Sequence, residues 1–379
     1  MKNISSQFKF FVVALLTIVI ITTACSSKAP VQQKQETTTA QQETKPQKIN
    51  VTDLAGRQVE LTIPVNRVVG LTSALRFITC IDGAKKVVGI EDINLKATDG
   101  LTYNTAYRDE LSKLPVVGVG GSKAAANPEK LVEVKPDVIF TGFSDKSQAD
   151  NLQTKTGIPV VVLSYGTSIF DEDFYKSLKL VGKIMGDETR AQKVVDYIKN
   201  CQKDLNDRTK GIPNDKKPTV YVGAVSHAGS HGIESTRGNY PPFVIVNAKN
   251  VADETGKNGS IDIDKEKLLS WNPDIIFIDE GGLPLVKQDY QKDPKFYQSL
   301  KAVKDGHVYG LLPYVYNGTN IDTAIADCYY VGKVLYPEQF KDIDPAKKAD
   351  EIYKFFYGKP LYETLAKSSG GFKQITLGQ

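Results

Sequence analysis

The chain has 379 residues, 48 Lys and Arg against 44 Asp and Glu, and 41% hydrophobic residues, a length that suggests roughly two to three domains with sizeable cores. Its formal net charge of +4 includes Lys2 and Lys9, which fall in a leader and leave about +2 for the rest. A balance this near neutral excludes a nonspecific nucleic-acid or polyanion binder. The leader comes first along the chain. Lys2 and Lys9 flank the start of a continuous apolar run, 10–21 (FFVVALLTIVII). That run is shorter than the ~20 residues of a membrane span and suits the core of a signal peptide, so residues 1–24 read as one.

Small residues Thr22, Thr23 and Ala24 then precede Cys25. This resembles the lipobox of bacterial lipoproteins, with Thr22 standing where those proteins usually carry Leu or another aliphatic. The resemblance implies acylation of Cys25; on composition alone Cys25 is an ordinary thiol. Residues 26–48 hold almost no large apolar side chain and cannot bury enough surface to offset their ordering entropy. Over 25–48 the resemblance implies a lipidated N-terminus at Cys25, and the composition predicts a disordered tether after it. The other cysteines, Cys80, Cys201 and Cys328, have no CxxC spacing and read as buried small hydrophobes.

A first α/β lobe is expected over 49–168. After a hairpin at 49–63 come apolar runs at 68–71, 87–90, 116–119, 138–141 and 160–163, separated by helical stretches or by Gly and Pro, the pattern of a mostly parallel sheet covered on both faces. Residues 169–212 carry helical periodicity interrupted by Gly182 and Gly186 and predict a long connecting helix, broken at Gly186 if anywhere, with Asp187 as a cap. A second α/β lobe over 213–379 is expected to have strands at 219–225, 275–279 and 308–312 and helices at 241–253, 264–271, 319–335 and 345–366. One unit occurs twice: NPEKLVEVKPDVIF at 127–140 aligns without a gap on DKEKLLSWNPDIIF at 264–277. Each copy is a short amphipathic helix, Pro-Asp, and a buried strand. The fold class is thus α/β, with two similar lobes joined by a helical linker and a ligand cleft between them.

Beyond the carboxyl ends of the strands, where open α/β sheets bind ligands, the first lobe places Ser73, Arg76, Gly121, Phe143 and Tyr165. Tyr103, Tyr107 and Arg108 sit in a polar aromatic stretch that can reach the same opening. The second lobe places His227, Ser230 and His231 in the SHAGSHG segment 226–232, with Arg237 and Tyr240 downstream, then Glu280, and then Tyr314, Tyr316 and Asn317. Tyrosines suit a flat aromatic or chelate ligand, and Arg76, Arg108 and Arg237 can neutralise an anionic one. The glycines at 229 and 232 argue against a helical His227/His231 pair. The two can ligate the metal of a chelate, donate hydrogen bonds to an anion together with Arg237, or only structure their loop.

No Gly-x-Ser-x-Gly, P-loop or HExxH pattern occurs, and Gly118-Val119-Gly120-Gly121 has Lys123 where a dinucleotide fingerprint needs its last glycine. An enzyme is not expected; the competing class is an exported metal-dependent hydrolase using His227, His231 and Glu280. Taken with Pro64-x-x-Arg67-Val68-Val69, the repeated unit, Tyr297-x-x-Leu300-x-Ala302-Val303-x-x-Gly306-x-Val308-Tyr309 and Leu335-Tyr336-Pro337, the chain resembles the helix-linked substrate-binding proteins of ABC importers for ferric siderophores, haem and vitamin B12. The resemblance covers about 49–366. It implies a monomeric receptor, lipid-anchored at the outer face of the bacterial cytoplasmic membrane or periplasmic, that carries a metal chelate to a permease dimer driven by a cytoplasmic ATPase. An iron complex such as a ferric siderophore or haem leads, and cobalamin or a molybdate or tungstate oxyanion is the alternative. No cofactor is implied. Glu129 and Glu266, one per repeated helix, fall where that family docks permease arginines; a carboxylate in the first turn is favoured by the helix dipole.

Overall fold

Short runs of β-branched residues punctuated by Gly and Pro build two parallel sheets in the computed structural model, which describes residues 46–96, 100–142, 144–227 and 229–378. The leader, Cys25, nearly all of the tether and Phe143 lie outside the described residues. Among the described residues no helix is long and apolar enough to cross a membrane, and Cys80, Cys201 and Cys328 are buried and unpaired.

An antiparallel hairpin opens the fold, β1 (Gln47–Thr52) with β2 (Gln58–Ile63). Buried Arg57 ties it to the sheet, donating to Asp53, Asp150 and the Val160 carbonyl. The first sheet comprises β3 (Val68–Leu71), β4 (Val87–Glu91), β5 (Val116–Val119), β6 (Ala125–Ala126), β7 (Val138–Thr141) and β8 (Val160–Val162). Its order is β6-β5-β4-β3-β7-β8, parallel except for the two-residue β6. The chain winds from β3 outward through β4 and β5, then returns to add β7 and β8 on the other side. The switch point therefore lies at the carboxyl end of β3.

Two helices, Glu172–Met185 and Glu188–Thr209, make the connection. The helical linker breaks and reverses at Gly186, the position where a break was expected, whose φ of 76° is open to glycine. The two helices pack so closely that a Cβ on Gly182 would lie 2.5 Å from the Ala191 Cβ. Asp187 precedes the second helix but makes no side-chain cap bond; its carboxylate lies 3.5 Å from the Lys86 ammonium instead.

The second lobe contains β9 (Thr219–Gly223), β10 (Ser235–Gly238), β11 (Lys249–Asn250), β12 (Gly259–Asp262), β13 (Ile275–Asp279) and β14 (Val308–Leu311). Its parallel sheet has the order β11-β9-β13-β14, and β10 pairs with β12 as a separate antiparallel ribbon. Two expected helices are corrected. In place of 241–253 a short helix, Pro241–Ile245, gives way to β11 and a 3₁₀ turn, Val251–Thr255, because Asn247 takes a positive φ. The stretch 345–366 divides into Pro345–Tyr357 and Tyr362–Ser369 at Gly358, with φ 72°, just before Pro360.

One hydrophobic core runs from the first sheet through the paired helices into the C-terminal helices and the second lobe; it includes Val68, Phe140, Leu178, Ile198, Val222, Ile325 and Phe356. Arg190 on the second linker helix donates to the Phe355 carbonyl at 2.6 Å, and Tyr197 stacks on the Phe355 ring at 3.8 Å. The C-terminal helices are therefore packed across the body of the molecule and not confined to the second lobe.

Candidate ligand cleft

The strand ends that meet at the switch point carry the first unusual backbone. Thr72 and Ser73, directly after β3, take φ values of 45° and 74°, a region unfavourable for a β-branched residue. Bonds made by Thr72 hold that turn. Its amide donates to Glu91 at 3.0 Å, and its hydroxyl bonds the Thr141 hydroxyl at 2.8 Å. Glu91 is buried, which pushes its carboxyl up to about 7.

The turn aims Arg76 into the boundary between the lobes, not into a ligand site. Its guanidinium donates to the Tyr165 hydroxyl at 3.0 Å and to the carbonyls of Asn317 and Tyr316 at 3.1 and 3.0 Å. Tyr165 in turn donates to the Ser73 carbonyl at 2.9 Å, and the Arg76 guanidinium lies 5.4 Å from the Tyr103 ring centroid. Arg76 is fully buried. Ser73, Arg76, Tyr103 and Tyr165, all expected to face ligand, therefore form a clasp that locks helix Leu75–Cys80 of the first lobe to the 313–318 loop of the second. Thr102 with Thr323 at 3.1 Å, and Asn320 donating to the Gly100 carbonyl at 2.9 Å, extend it.

Beside the clasp a cavity of about 820 Å³ opens between the lobes. Its first-lobe wall is Ile93, Gly100, Gly120, Gly121 and Ser122. Its second-lobe wall is Ser226, His227, Gly229, Ser230, Gly281 and the segment Pro313 to Gly318 without Tyr314, and Ser368 and Ser369 close one side. Among the described residues this lining holds no Arg, Lys, Asp or Glu. The polar groups are hydroxyls, glycine backbone, one imidazole and the Asn317 amide, whose Nδ2 is buried without an acceptor.

Beneath that wall lies a carboxylate. Asp279, at the end of β13, accepts from the Gly281 amide at 2.9 Å and from the Ser226 amide at 3.1 Å, so two amides of the wall are already taken. Burial pushes its carboxyl up to about 6, against the pull of those two bonds. Asp327 is buried nearby and shifted upward, first by burial and then by the charge of Asp279. Helix Tyr362–Ser369 also ends at the cavity, where its terminal carbonyls contribute partial negative charge.

Gly121, His227, Ser230, Tyr316 and Asn317 are the sequence-predicted residues that the cavity brings together. His231 stands directly behind His227, its ring stacked on the other at 3.8 Å. Its Nε2 lies 2.8 Å from the His227 carbonyl. The others lie elsewhere. Tyr107 packs edge-on against Tyr357, and Arg108 is exposed on a short helix away from the lining. Arg237 on β10 has its Nε buried without an acceptor, close enough to Tyr314 for its charge to act on that phenol. Tyr240 and Tyr314 are core tyrosines behind the wall, 6.0 Å apart.

Glu280 turns away from the cleft. It accepts from the Gly371 amide at 2.7 Å and fills space that a Cβ on Gly310 or Gly370 would claim. Its role is to pin the C-terminal segment, so the hydrolase constellation of His227, His231 and Glu280 does not assemble. Burial pushes the Glu280 carboxyl from 4.5 up to about 8. Because the folded state holds this proton more tightly, its contribution is fully present below about pH 4.5 and is lost as pH rises to about 8. Glu280→Gln keeps the bond to Gly371 without the charge. Its thermal stability is expected to depend less steeply on pH between about 5 and 8, by up to about 1.4 kcal/mol per unit. Unfolding curves that stay parallel to wild type would place the titrating group elsewhere.

Ile93, Gly100, Ser368 and Ser369 were not foreseen as lining residues. The serines end a helix that follows the last strand by about fifty residues, and nothing local marks them.

A family model described as "Periplasmic binding protein" matches residues 84–315. The chain is 26% identical over 329 residues to the molybdate-binding protein MolA of Haemophilus influenzae, covering 81% of this chain and 90% of the relative. It is 30% identical over 211 residues to the iron-uptake system-binding protein of Bacillus subtilis, covering 50% and 59%. Its fold is similar to the crystal structure of the TroA-like periplasmic binding protein FepB from Veillonella parvula, with a TM-score of 0.63, 28% identity and coverage of 82% and 97%.

Proposed function

The chain belongs to the periplasmic binding protein family, and from that premise we propose that it is the extracytoplasmic receptor of an ABC importer, holding a metal chelate between its lobes. The observation that carries the ligand class is the cleft itself. About 820 Å³ of space with an uncharged hydroxyl, amide and imidazole lining suits a compact chelate within the range of small-molecule sites. Iron uptake by the Bacillus relative supports an iron complex. Asp279 beneath the wall, and its hold on the Ser226 and Gly281 amides, favour a chelate with little net negative charge over a bare oxyanion. The expected role of arginines against an anionic ligand is not supported, since none lines the cavity.

Delivery rests on the repeated helices. Pro128–Val134 and Lys265–Trp271 start alike, with Asn127 and Asp264 as side-chain caps, and both end in the left-handed conformation, at Lys135 and Asn272. Glu129 and Glu266 are exposed in their first turns, and Val132 and Leu269, three residues on, are exposed apolar positions at the same register. Each lobe thus offers one carboxylate beside one apolar side chain, which suits a partner with two arginines. With a lipid at Cys25 and the 26–48 tether, the receptor would work just above the membrane.

Titrating the purified protein with neutral and anionic ferric chelates, haem, cobalamin and molybdate, with melting temperature as the readout, tests the ligand class. Stabilisation follows RT ln(1 + [L]/Kd), so a chelate of low net charge is expected to raise the melting temperature most. Stabilisation by molybdate alone would overturn the chelate reading, and stabilisation by cobalamin alone would overturn iron as its metal.

A further inference from the structure

The stacked histidines have a third neighbour that the sequence did not single out. One nitrogen of His227, one of His231 and a carboxylate oxygen of Asp262 lie within 4.8 Å of one another, and His227 Nε2 stands 3.9 Å from Asp262 Oδ1. Asp262 ends β12, and its partner across the ribbon is Ser235 of β10. The ribbon therefore carries this carboxylate to the 226–232 loop from more than thirty residues away.

Each group has its lone pair to offer. His227 Nε2 is buried and finds no hydrogen-bond partner among the described residues. The His227 carbonyl can only accept, so His231 Nε2 must carry the proton in their 2.8 Å contact, which leaves Nδ1 of that ring to donate a lone pair. An imidazole whose second nitrogen is fixed on a carbonyl is the usual arrangement of a metal-ligating histidine. The Asp262 side chain is about two-thirds exposed and free to turn.

We propose that His227, His231 and Asp262 form a binding site for a bare divalent transition-metal ion of the zinc, nickel or cobalt class. Two imidazoles and one carboxylate are a donor set for such ions and leave at least one coordination position open. The ion would sit at the cleft wall, since His227 lines the cavity, with its open position available to a water or to a donor atom of the cargo. Bond lengths of about 2.0–2.2 Å ask the donor atoms to close to roughly 3.3 Å from one another, so the two rings must turn out of their stack as the ion enters. The inference shares the cleft with the chelate reading and does not require the chelate.

The test uses the untagged, chelator-stripped protein titrated with Co²⁺ alone, followed by visible absorption, with Zn²⁺ as competitor. One equivalent is expected to bind with the intense d–d bands of a four-coordinate site, and Zn²⁺ is expected to abolish them. His227→Ala and Asp262→Asn are each expected to weaken binding about tenfold or more. Asp262 is exposed, so its substitution leaves the fold intact, and circular dichroism checks this for both variants. No stoichiometric Co²⁺ binding, or unchanged affinity in Asp262→Asn, would overturn the site. The ferric-chelate titration, run in parallel without Co²⁺, separates the outcomes: chelate binding without Co²⁺ binding overturns this inference alone, whereas Co²⁺ binding without any chelate response overturns the chelate reading alone.

Discussion

Arg76→Ala is expected to lower the unfolding free energy by about 3–5 kcal/mol, the range for removing one member of a buried charged network. The substitution strips the Tyr316 and Asn317 carbonyls and the Tyr165 hydroxyl of a shared donor and leaves a void beside the Tyr103 and Tyr165 rings. Arg76→Lys cannot span both carbonyls and the phenol with one ammonium and is expected to recover only a minor part. Urea denaturation at neutral pH measures both. A loss below about 1 kcal/mol would show that the 313–318 loop is held by other contacts.

Glu129→Ala with Glu266→Ala is expected to abolish import while leaving ligand affinity and stability unchanged. Both side chains are exposed and neither belongs to the cleft lining. Each cap bond belongs to another residue, Asn127 or Asp264, so the fold has no claim on the two carboxylates. Each single substitution is expected to give an intermediate defect, since one lobe would still engage. Uptake of labelled ligand in cells, paired with melting of the purified variants, measures this. Undiminished uptake in the double variant, or a loss of affinity, would remove these residues from docking.

Apart from the two-residue β6 and β11, the strands of both sheets were readable because buried parallel strands are continuous apolar, largely β-branched runs, as in 68–71, 138–141 and 275–279. The ribbon of β10 and β12 was not. Its sequences, STRG and GSID, are short and hold a single large apolar residue, Ile261. That ribbon carries Asp262, so the third member of the histidine cluster was hidden with it. The site residues divide along a similar line. The strand-end rule gathered Gly121, His227, Ser230, Tyr316 and Asn317, which line one cavity from its two walls. It could not tell a side chain that faces ligand from one that faces the other lobe, because both leave the same strand ends. Arg76 and Tyr165 went to the clasp for a reason no local pattern shows: Arg76 donates to the backbone of a loop 240 residues away, and Tyr165 bridges Arg76 to the Ser73 carbonyl.

The largest core, which threads both lobes, has a kinetic meaning. Two bodies fused through the paired linker helices, the C-terminal helices and the Arg76 clasp cannot swing apart without exposing apolar surface, at about 25 cal/mol for each Å². An incoming solute therefore meets a pocket already formed, and little of its binding energy is consumed in reshaping the protein. The same rigidity works against departure. A solute held this way leaves slowly by itself, so its release calls for a force from outside, the task that the proposed docking at Glu129 and Glu266 would serve.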